Sequence, residues 1–275
     1  GNVIRKGIAL LLALVLATAL AACGAGEESS SAQGMASSQP ASSAPPPTTP
    51  TTTPVPTPPP NVPVDGTNAL PGLAAPEGLM EGQRRVAVTV MTSQRRLPQR
   101  GLAAADVLGE MLIDSSETRV LAVYADYRTV PSVGPVHATY DQFVQFALPL
   151  DAIQAHIDKS QYAENLLAVL NQKDLDGIHL GTTAFWFDES RQLPRLTGKL
   201  NEYCWFTDAN LVWNGMTYLD IHAVGTVPSL FSFGAAESFP PSEEAHYVQG
   251  IFSGQSTSGF HYDPAQGLYF KTNYG

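Results

Sequence analysis

Three carboxylate residues recur at intervals of four in the middle of the chain. Asp106, Glu110 and Asp114 occupy positions i, i+4 and i+8, which on a helix would place all three side chains on one face. Like charges at this spacing repel each other, so a nearby cation would stabilise them. Arg119 is the natural candidate, and Arg100 or Arg128 are the alternatives. The pattern predicts a charged pocket that binds a small polar ligand or Ca²⁺.

The same carboxylates also have an ordinary structural interpretation. Asp106 would be residue N3 of a helix whose N-cap is Ala103, and there a carboxylate interacts favourably with the helix dipole. Solvated charges, or ion pairs that support the fold, would account for the other two residues. Both interpretations stay open, and the structural one is the simpler.

His156 is the second candidate for chemistry. It follows an apolar stretch that is typical of a strand, and Asp158 and Ser160 come directly after it. Ligand and catalytic residues of α/β sheets gather at the carboxyl ends of strands. A Ser-His-Asp triad is conceivable, but the chain has no Gly-x-Ser-x-Gly turn, and Ser160 has a sufficient role as a helix N-cap. We therefore include His156 among the ligand-binding candidates and predict no catalytic residue.

Apart from the Ca²⁺ considered above, metals, cofactors and nucleic acids are not expected from the sequence. The six histidines are scattered, with no His-x-x-x-His pair, and there are only two cysteines, Cys23 and Cys204. No Gly-rich phosphate loop follows the first predicted strand. The net charge of −10 argues against nucleic acid as a partner.

A group of aromatic residues in the second half of the chain has two possible uses. It could form a stacking platform for sugars, or it could pack in the core. Cys204, which stands between two of these residues, is predicted to be a small buried hydrophobic residue. The aromatic residues concerned are Phe185, Trp186, Phe187, Tyr203, Trp205 and Trp213.

The elements that would position these residues alternate between strands and helices. Apolar, β-branched runs predict buried strands, and apolar residues at helical spacing predict helices between them. The predicted strands are 86–91, 120–124, 152–157 and 184–187, and the predicted helices are 102–113, 138–148, 160–170 and 207–213. This alternation predicts an α/β domain over residues 84–226, with a mixed, mostly parallel sheet covered by helices.

Short β-prone runs after residue 226 predict a small β-rich C-terminal unit over 227–275. The runs are 230–233, 247–252, 259–262 and 268–270, and a turn sequence, Asp263-Pro264-Ala265-Gln266-Gly267, joins the last two. We expect this unit to be incomplete.

The N-terminal third of the chain carries an export signal and a tether. Residues 1–22 contain Arg5-Lys6 and an apolar run that is too short for a spanning helix, so we predict a signal peptide. The run ends in Leu20-Ala21-Ala22-Cys23, which matches the lipobox of bacterial lipoproteins and predicts lipidation of Cys23. Residues 23–83 are rich in Pro, Thr and Ser and predict a disordered tether.

Several short motifs resemble, in their order, those of the YerB-like bacterial lipoproteins. They are Gln99-Arg100-Gly101-Leu102, Gly134-Pro135-Val136, Asp151-Ala152 with His156, and Tyr262-Asp263 with Gly267-Leu268-Tyr269. The resemblance implies an N-terminal α/β domain, a smaller C-terminal β domain and no known activity. In that family an Arg-Ser-x-Arg pattern usually follows Gly-Pro-Val, whereas residues 137–140 are His-Ala-Thr-Tyr. This chain therefore resembles a diverged and truncated member.

Together these observations predict a lipoprotein on the outer face of the cell membrane, anchored through Cys23. We expect a non-catalytic module that binds a cell-wall component, a small polar ligand or an envelope protein. The alternative is a wall-directed hydrolase or transferase with a site built from Asp106, Glu110, Asp114, Arg119 and His156.

Overall fold

The structure is a computed structural model that describes residues 68–94, 97–113, 116–192, 203–226, 228–229, 231–234, 238 and 243–273. All of them belong to one compact unit. The predicted signal peptide, Cys23, most of the predicted tether and Asp114 lie outside the described residues. Within the described part of the chain, no helix combines the length and the apolar character needed to cross a membrane.

A mixed five-stranded sheet is the centre of the fold. Its strands are β1 (Val86–Met91), β2 (Val107–Leu112), β3 (Thr118–Tyr124), β4 (Ile153–His156) and β5 (Leu175–Asp176). Their order is β2-β3-β1-β4-β5, with β1–β3 and β2–β3 antiparallel and β1–β4 and β4–β5 parallel. The α/β class and the mixed sheet are confirmed, although parallel pairs make up half of the sheet rather than most of it.

Both faces of this sheet are covered, which explains why the central strands are apolar throughout. All six residues of β1 and all seven of β3 are buried. Along β1, Val88 faces the cluster that contains Phe185 and Met216. Ala87 faces the opposite cluster, with Phe143 and Ala147. Side chains alternate between the faces of a strand, so the two clusters lie on opposite sides of the sheet.

In the described part of the chain, four α-helices pack around the sheet: α1 (Asp141–Ala147), α2 (Gln161–Val169), α3 (Gly177–Leu180) and α4 (Ala209–Leu219). The predicted N-cap of α2 is confirmed, because Ser160 Oγ accepts a hydrogen bond from the Ala163 N–H. Asp208 caps α4 in the same way, accepting from the N–H groups of Asn210 and Leu211. These caps satisfy donors that the first turn of a helix leaves free.

The predicted helix 102–113 is wrong. Only Leu102–Ala104 form a helical turn, of the 3₁₀ type, and Val107–Leu112 form strand β2, which pairs with β3 along its whole length. Gly101, at φ 84°, turns the chain into this segment. Six consecutive pairings with a buried strand stabilise the extended form more than local helical preference stabilises a helix, which Gly109 weakens further.

The packed region also begins before residue 84, where the tether was predicted to end. Leu70 and Leu79 are buried against Ala87, Leu121 and Phe143. Pro and Gly residues around these two leucines resemble the tether in composition, and single apolar residues within such a segment give no periodic pattern to detect.

Three antiparallel strands, β8 (Tyr247–Ile251), β9 (Thr257–Asp263) and β10 (Leu268–Asn273), form the C-terminal β-rich unit, in the order β10-β9-β8. The predicted turn is confirmed, since Asp263 caps it by accepting from the Ala265 N–H. Residues 231–233, predicted as part of a strand, are not in one. The remaining strands of the described residues are the antiparallel pair β6 (Trp186–Phe187) and β7 (Trp205–Phe206).

Candidate functional site

Glu110 connects the five-stranded sheet to the C-terminal sheet. Its Oε1 accepts a hydrogen bond from Thr118 Oγ1 at 2.8 Å, and its Oε2 accepts from Ser258 Oγ at 2.6 Å. Lys271 Nζ lies 3.1 Å from the same Oε2. Glu110 is therefore occupied by contacts that support the fold, as the structural interpretation of the carboxylates predicted.

Asp106 has a different set of partners at the start of β2. Its carboxylate accepts from Asn68 Nδ2 at 3.0 Å and from the Ala125 N–H at 2.7 Å. Because this segment is extended rather than helical, Asp106 and Glu110 are about 13 Å apart along the strand. The predicted helical face that would bring Asp106 and Glu110 together is therefore wrong, and Asp114 is outside the described residues.

Arg119 does not join the carboxylates either. In the β2–β3 register it lies opposite Met111, whereas Glu110 lies opposite Val120. The Arg119 guanidinium donates to the Ala138 carbonyl and lies 5.0 Å from the centre of the Tyr140 ring. It is buried at the edge of the sheet where β1 and β4 end.

His156 lies at the carboxyl end of β4, as predicted, and its neighbours come from elsewhere in the chain. Its Nδ1 donates to the Asp158 carbonyl at 2.9 Å, and its Nε2 lies 2.9 Å from Asp174 Oδ2. Asp176, at the end of the adjacent parallel strand β5, lies opposite His156 in the register. Lys159 Nζ is 2.7 Å from Asp174 Oδ2 and 3.2 Å from Asp176 Oδ2. We call these four residues, His156, Lys159, Asp174 and Asp176, the strand-end cluster.

The charges of the strand-end cluster compensate one another. Burial raises the pKa of Asp174, but the contacts with His156 and Lys159 outweigh it and lower the pKa to about 2. The pKa of Asp176 is also lowered, since burial is outweighed by His156 and by the N–H groups of Ile178 and Asp158. The pKa of Lys159 is raised, because both carboxylates outweigh the effect of burial. Two carboxylates therefore stay ionised inside the protein beside a lysine ammonium.

Sequence reasoning missed Lys159, Asp174 and Asp176. The available signal was the pair of aspartates in Asp174-Leu175-Asp176, which alternate along a short apolar segment that follows helix α2. Carboxyl ends of neighbouring parallel strands meet at one edge of a sheet. Asp176 and His156 would have been placed together if residues 175–176 had been recognised as a strand.

A serine hydrolase arrangement is not formed at this edge. Ser160 Oγ caps helix α2, and the His156 side chain is fully buried, which leaves the imidazole no exposed surface from which to serve an incoming substrate. The described contacts of the two His156 ring nitrogens go to Asp158, Asp174 and Asp176.

The aromatic residues form separate pairs rather than one platform. Phe185 is buried in the core, Trp186 packs on Phe206, and Phe187 packs on Trp205. Trp213, on the surface of α4, stacks on Tyr127. Core packing therefore accounts for Phe185, and Cys204 is fully buried, as predicted.

A cleft of about 660 Å³ lies between the two sheets. One wall comes from the segment before β2 and from β2 itself, with Leu97, Leu102 and Leu108. The other wall is β10, with Leu268 and Phe270. Consecutive residues of β10 from Leu268 to Lys271 line the cleft, so it follows the edge of this strand rather than one of its faces.

The comparisons with known proteins agree with this architecture. Residues 70–214 match the family described as "Protein of unknown function (DUF3048) N-terminal domain". A lipoprotein of Bacillus subtilis strain 168, YerB, is 31% identical over 117 residues, which are 42% of this chain and 35% of YerB. The chain thus spans about a third of that relative's length.

The crystal structure of Bacillus subtilis YerB shares the fold. It matches with a TM-score of 0.64 at 21% identity, over 77% of this chain and 68% of the YerB chain. The family match covers more than half of the chain and the relative exceeds 30% identity in the matched region. The chain therefore belongs to the DUF3048 family of YerB-like proteins, whose function is unknown.

Proposed function

We propose that this protein is a membrane-anchored, extracytoplasmic binding module that captures an extended polypeptide segment of an envelope protein, without catalysis. The cleft between β2 and β10 carries this proposal. Both strands stand at the edges of their sheets, and an edge strand offers unpaired backbone N–H and C=O groups to an added strand.

The side chains around the cleft suit such a ligand. Three leucines before and on β2 face Leu268 and Phe270 of β10. Leu268 and Phe270 are 59% and 48% exposed, so apolar surface remains for a partner to bury. An extended peptide would form backbone hydrogen bonds at the strand edge and would place alternate side chains on this surface.

The contacts of the predicted polar residues favour binding over the alternative of a wall-directed hydrolase. Glu110 and Asp106 are held by neighbours within the fold, and Arg119 is buried on a carbonyl and an aromatic ring. His156 is enclosed by the strand-end cluster. A hydrolytic site needs such groups to converge on one substrate atom.

The lipobox ending at Cys23 and the similarity to a lipoprotein support the membrane anchor. The test is metabolic labelling of the full chain with a radioactive fatty acid in a bacterial host. We expect label in the wild type and none in Cys23→Ser, which should move from the membrane fraction to the soluble extracytoplasmic fraction. Equal labelling of the two proteins would contradict the anchor.

Site-specific photo-crosslinking in cells tests the cleft. A benzophenone amino acid at Leu268 should give an adduct with another polypeptide, whereas the same group at Tyr218, which is 71% exposed on α4, should not. Leu108→Asp should abolish the Leu268 adduct, because it places a charge in the opposite wall. Equal adducts at the two positions, or none at Leu268, would refute the cleft as a polypeptide site.

A further inference from the structure

We infer that the strand-end cluster is a binding site for a divalent transition-metal ion, with His156, Asp174 and Asp176 as ligands and with Lys159 as the cation that metal binding displaces. This site is separate from the cleft and does not depend on the proposed polypeptide ligand. One candidate ligand atom from each of the three residues lies within 4.8 Å of the others.

The orientation of His156 is the first argument. A carbonyl oxygen can only accept a hydrogen bond, so the contact with the Asp158 carbonyl at 2.9 Å places a proton on Nδ1. Nε2 is then the ring nitrogen that is left to bind a metal ion. Metal-binding histidines commonly have this arrangement, with the other ring N–H bound to a backbone carbonyl.

The contact between His156 Nε2 and Asp174 Oδ2 is the second argument. The two atoms are 2.9 Å apart, yet Nε2 has no aligned hydrogen-bond partner among the described residues. A ring nitrogen and a carboxylate oxygen this close together need a positive charge near both atoms, either a proton on Nε2 or a metal ion. Two ligand atoms that each lie about 2.1 Å from one metal ion are about 3 Å apart at the right angle of octahedral Mn²⁺ coordination, and about 3.4 Å apart at the tetrahedral angle of Zn²⁺.

Gln154 supplies an independent indication that a ligand belongs on this face. It is 2% exposed, and neither its Oε1 nor its Nε2 has a hydrogen-bond partner among the described residues. It precedes His156 by two residues on β4, so the two side chains point to the same face of the sheet. Buried amides of native proteins are nearly always hydrogen-bonded, and a metal ion with its bound water would provide the partner.

Lys159 is compatible with this site because its side chain is long enough for the ammonium to move away from the two carboxylates when a metal ion binds. The ammonium lies between the two carboxylates, and it belongs to the short connection between β4 and α2. One imidazole and two carboxylates form a ligand set that suits Zn²⁺ or Mn²⁺. Repulsion between the ion and the ammonium would move Lys159 toward solvent.

Equilibrium dialysis of the full-length protein against Zn²⁺, followed by metal analysis, tests the proposal. We expect one tightly bound ion per chain that EDTA removes, and affinity at least about 100-fold weaker in His156→Gln and in Asp174→Asn, since even outer-shell changes cost 10–100-fold. Lys159→Met should tighten binding. Lys173→Met is the matched control, because Lys173 binds the Leu219 and Asp220 carbonyls instead.

Two further measurements distinguish metal binding at this site from misfolding of the variants and from binding at exposed histidines. X-ray absorption at the Zn edge of the wild type needs no substitution and should show one imidazole with oxygen ligands. His246→Gln removes an exposed imidazole beside Glu244 and should leave the stoichiometry unchanged. Wild-type protein that binds Zn²⁺ no better than His156→Gln, or a Zn spectrum without imidazole, would overturn the proposal and leave a proton on Nε2 as the bridging charge.

Discussion

Glu110 and Arg119 lie on opposite faces of the five-stranded sheet, although they belong to adjacent antiparallel strands. The register pairs Glu110 with Val120 and Arg119 with Met111, and paired residues share a face. A shift of one residue would have brought the two charges together. The ion pair expected from their closeness in sequence is therefore replaced by two unrelated sets of contacts.

Removal of the Glu110 carboxylate should destabilise the fold. In Glu110→Ala, Lys271 and the hydroxyls of Thr118 and Ser258 lose a charged acceptor, which we expect to lower the free energy of unfolding by about 1–3 kcal/mol. Urea denaturation measures this change. Glu117→Ala, an exposed carboxylate on the same hairpin, is the control and should have little effect.

A double-mutant cycle identifies the partner of Glu110. The effects of Glu110→Ala and Lys271→Met on the free energy of unfolding should be non-additive, because the two side chains are in contact. The effects of Glu110→Ala and Arg119→Met on the same quantity should be additive, because the two side chains lie on opposite faces of the sheet. Coupling between Glu110 and Arg119 would contradict the register.

His137 should make the protein less stable as the pH falls. Burial, and the nearby charge of Arg119, lower the pKa of His137 to about 3. Between about pH 6.5 and pH 3 the unfolded chain binds a proton at this residue and the folded protein does not, so the free energy of unfolding decreases with falling pH, by at most about 1.4 kcal/mol per pH unit.

Denaturant unfolding of the wild type and of His137→Phe at a series of pH values measures this contribution. Phenylalanine keeps an aromatic ring beside Tyr203, on which His137 stacks, but it cannot titrate. We expect a shallower pH dependence in the variant between pH 6.5 and 4. Parallel curves would show that the pKa of His137 is not lowered in the folded protein.

Gly215 should not tolerate a larger side chain, although it lies within helix α4. A Cβ at this position would be 2.9 Å from Ala184 Cβ and 3.0 Å from Leu175 Cδ2. Gly215→Val should therefore lower the free energy of unfolding by about 1–3 kcal/mol. The neighbouring exposed Asn214, changed to Ala, should stabilise the helix slightly. Calorimetric melting temperatures that rise in both variants would refute the close packing of α4 on β5.

Ser160→Ala should lower the free energy of unfolding by about 1 kcal/mol, because the Ala163 N–H loses its acceptor at the start of α2. Ser160→Asp should retain most of the stability, since aspartate is an equally good N-cap. Thermal unfolding compares the three proteins. A loss as large in Ser160→Asp as in Ser160→Ala would mean that the hydroxyl has a role other than capping.

The elements that sequence predicted well are those in which local pattern and tertiary contacts agree. Strand β1 is apolar and buried on both faces, and helix α2 has an N-cap and one apolar face. Strand β2 was mistaken for a helix because Val107–Leu112 has no clear alternation, and its state depends on pairing with β3. The burial of Leu70 and Leu79 is not predictable for a related reason, since isolated apolar residues among prolines and glycines form no periodic hydrophobic pattern.

The candidate site was predicted in part. The position of His156 follows from the rule for strand ends, but its partners Asp174 and Asp176 are 18 and 20 residues farther along the chain, just before and at the end of a strand of two residues. Grouping residues by closeness in sequence placed Glu110 with Arg119, whereas the fold places Glu110 with Ser258 and Lys271. Such long-range pairings depend on the topology of the sheet, which spacing alone does not encode.

The docking of residues 68–83 has a mechanical consequence. Tension applied to the chain upstream would first load the hydrogen bond between Asn68 and Asp106 and the burial of Leu70. Asp106 also accepts from the Ala125 N–H, just after β3, so the load would pass into the centre of the sheet rather than into a terminal strand. A domain under tension from its N-terminal end would therefore resist unfolding that begins at that end.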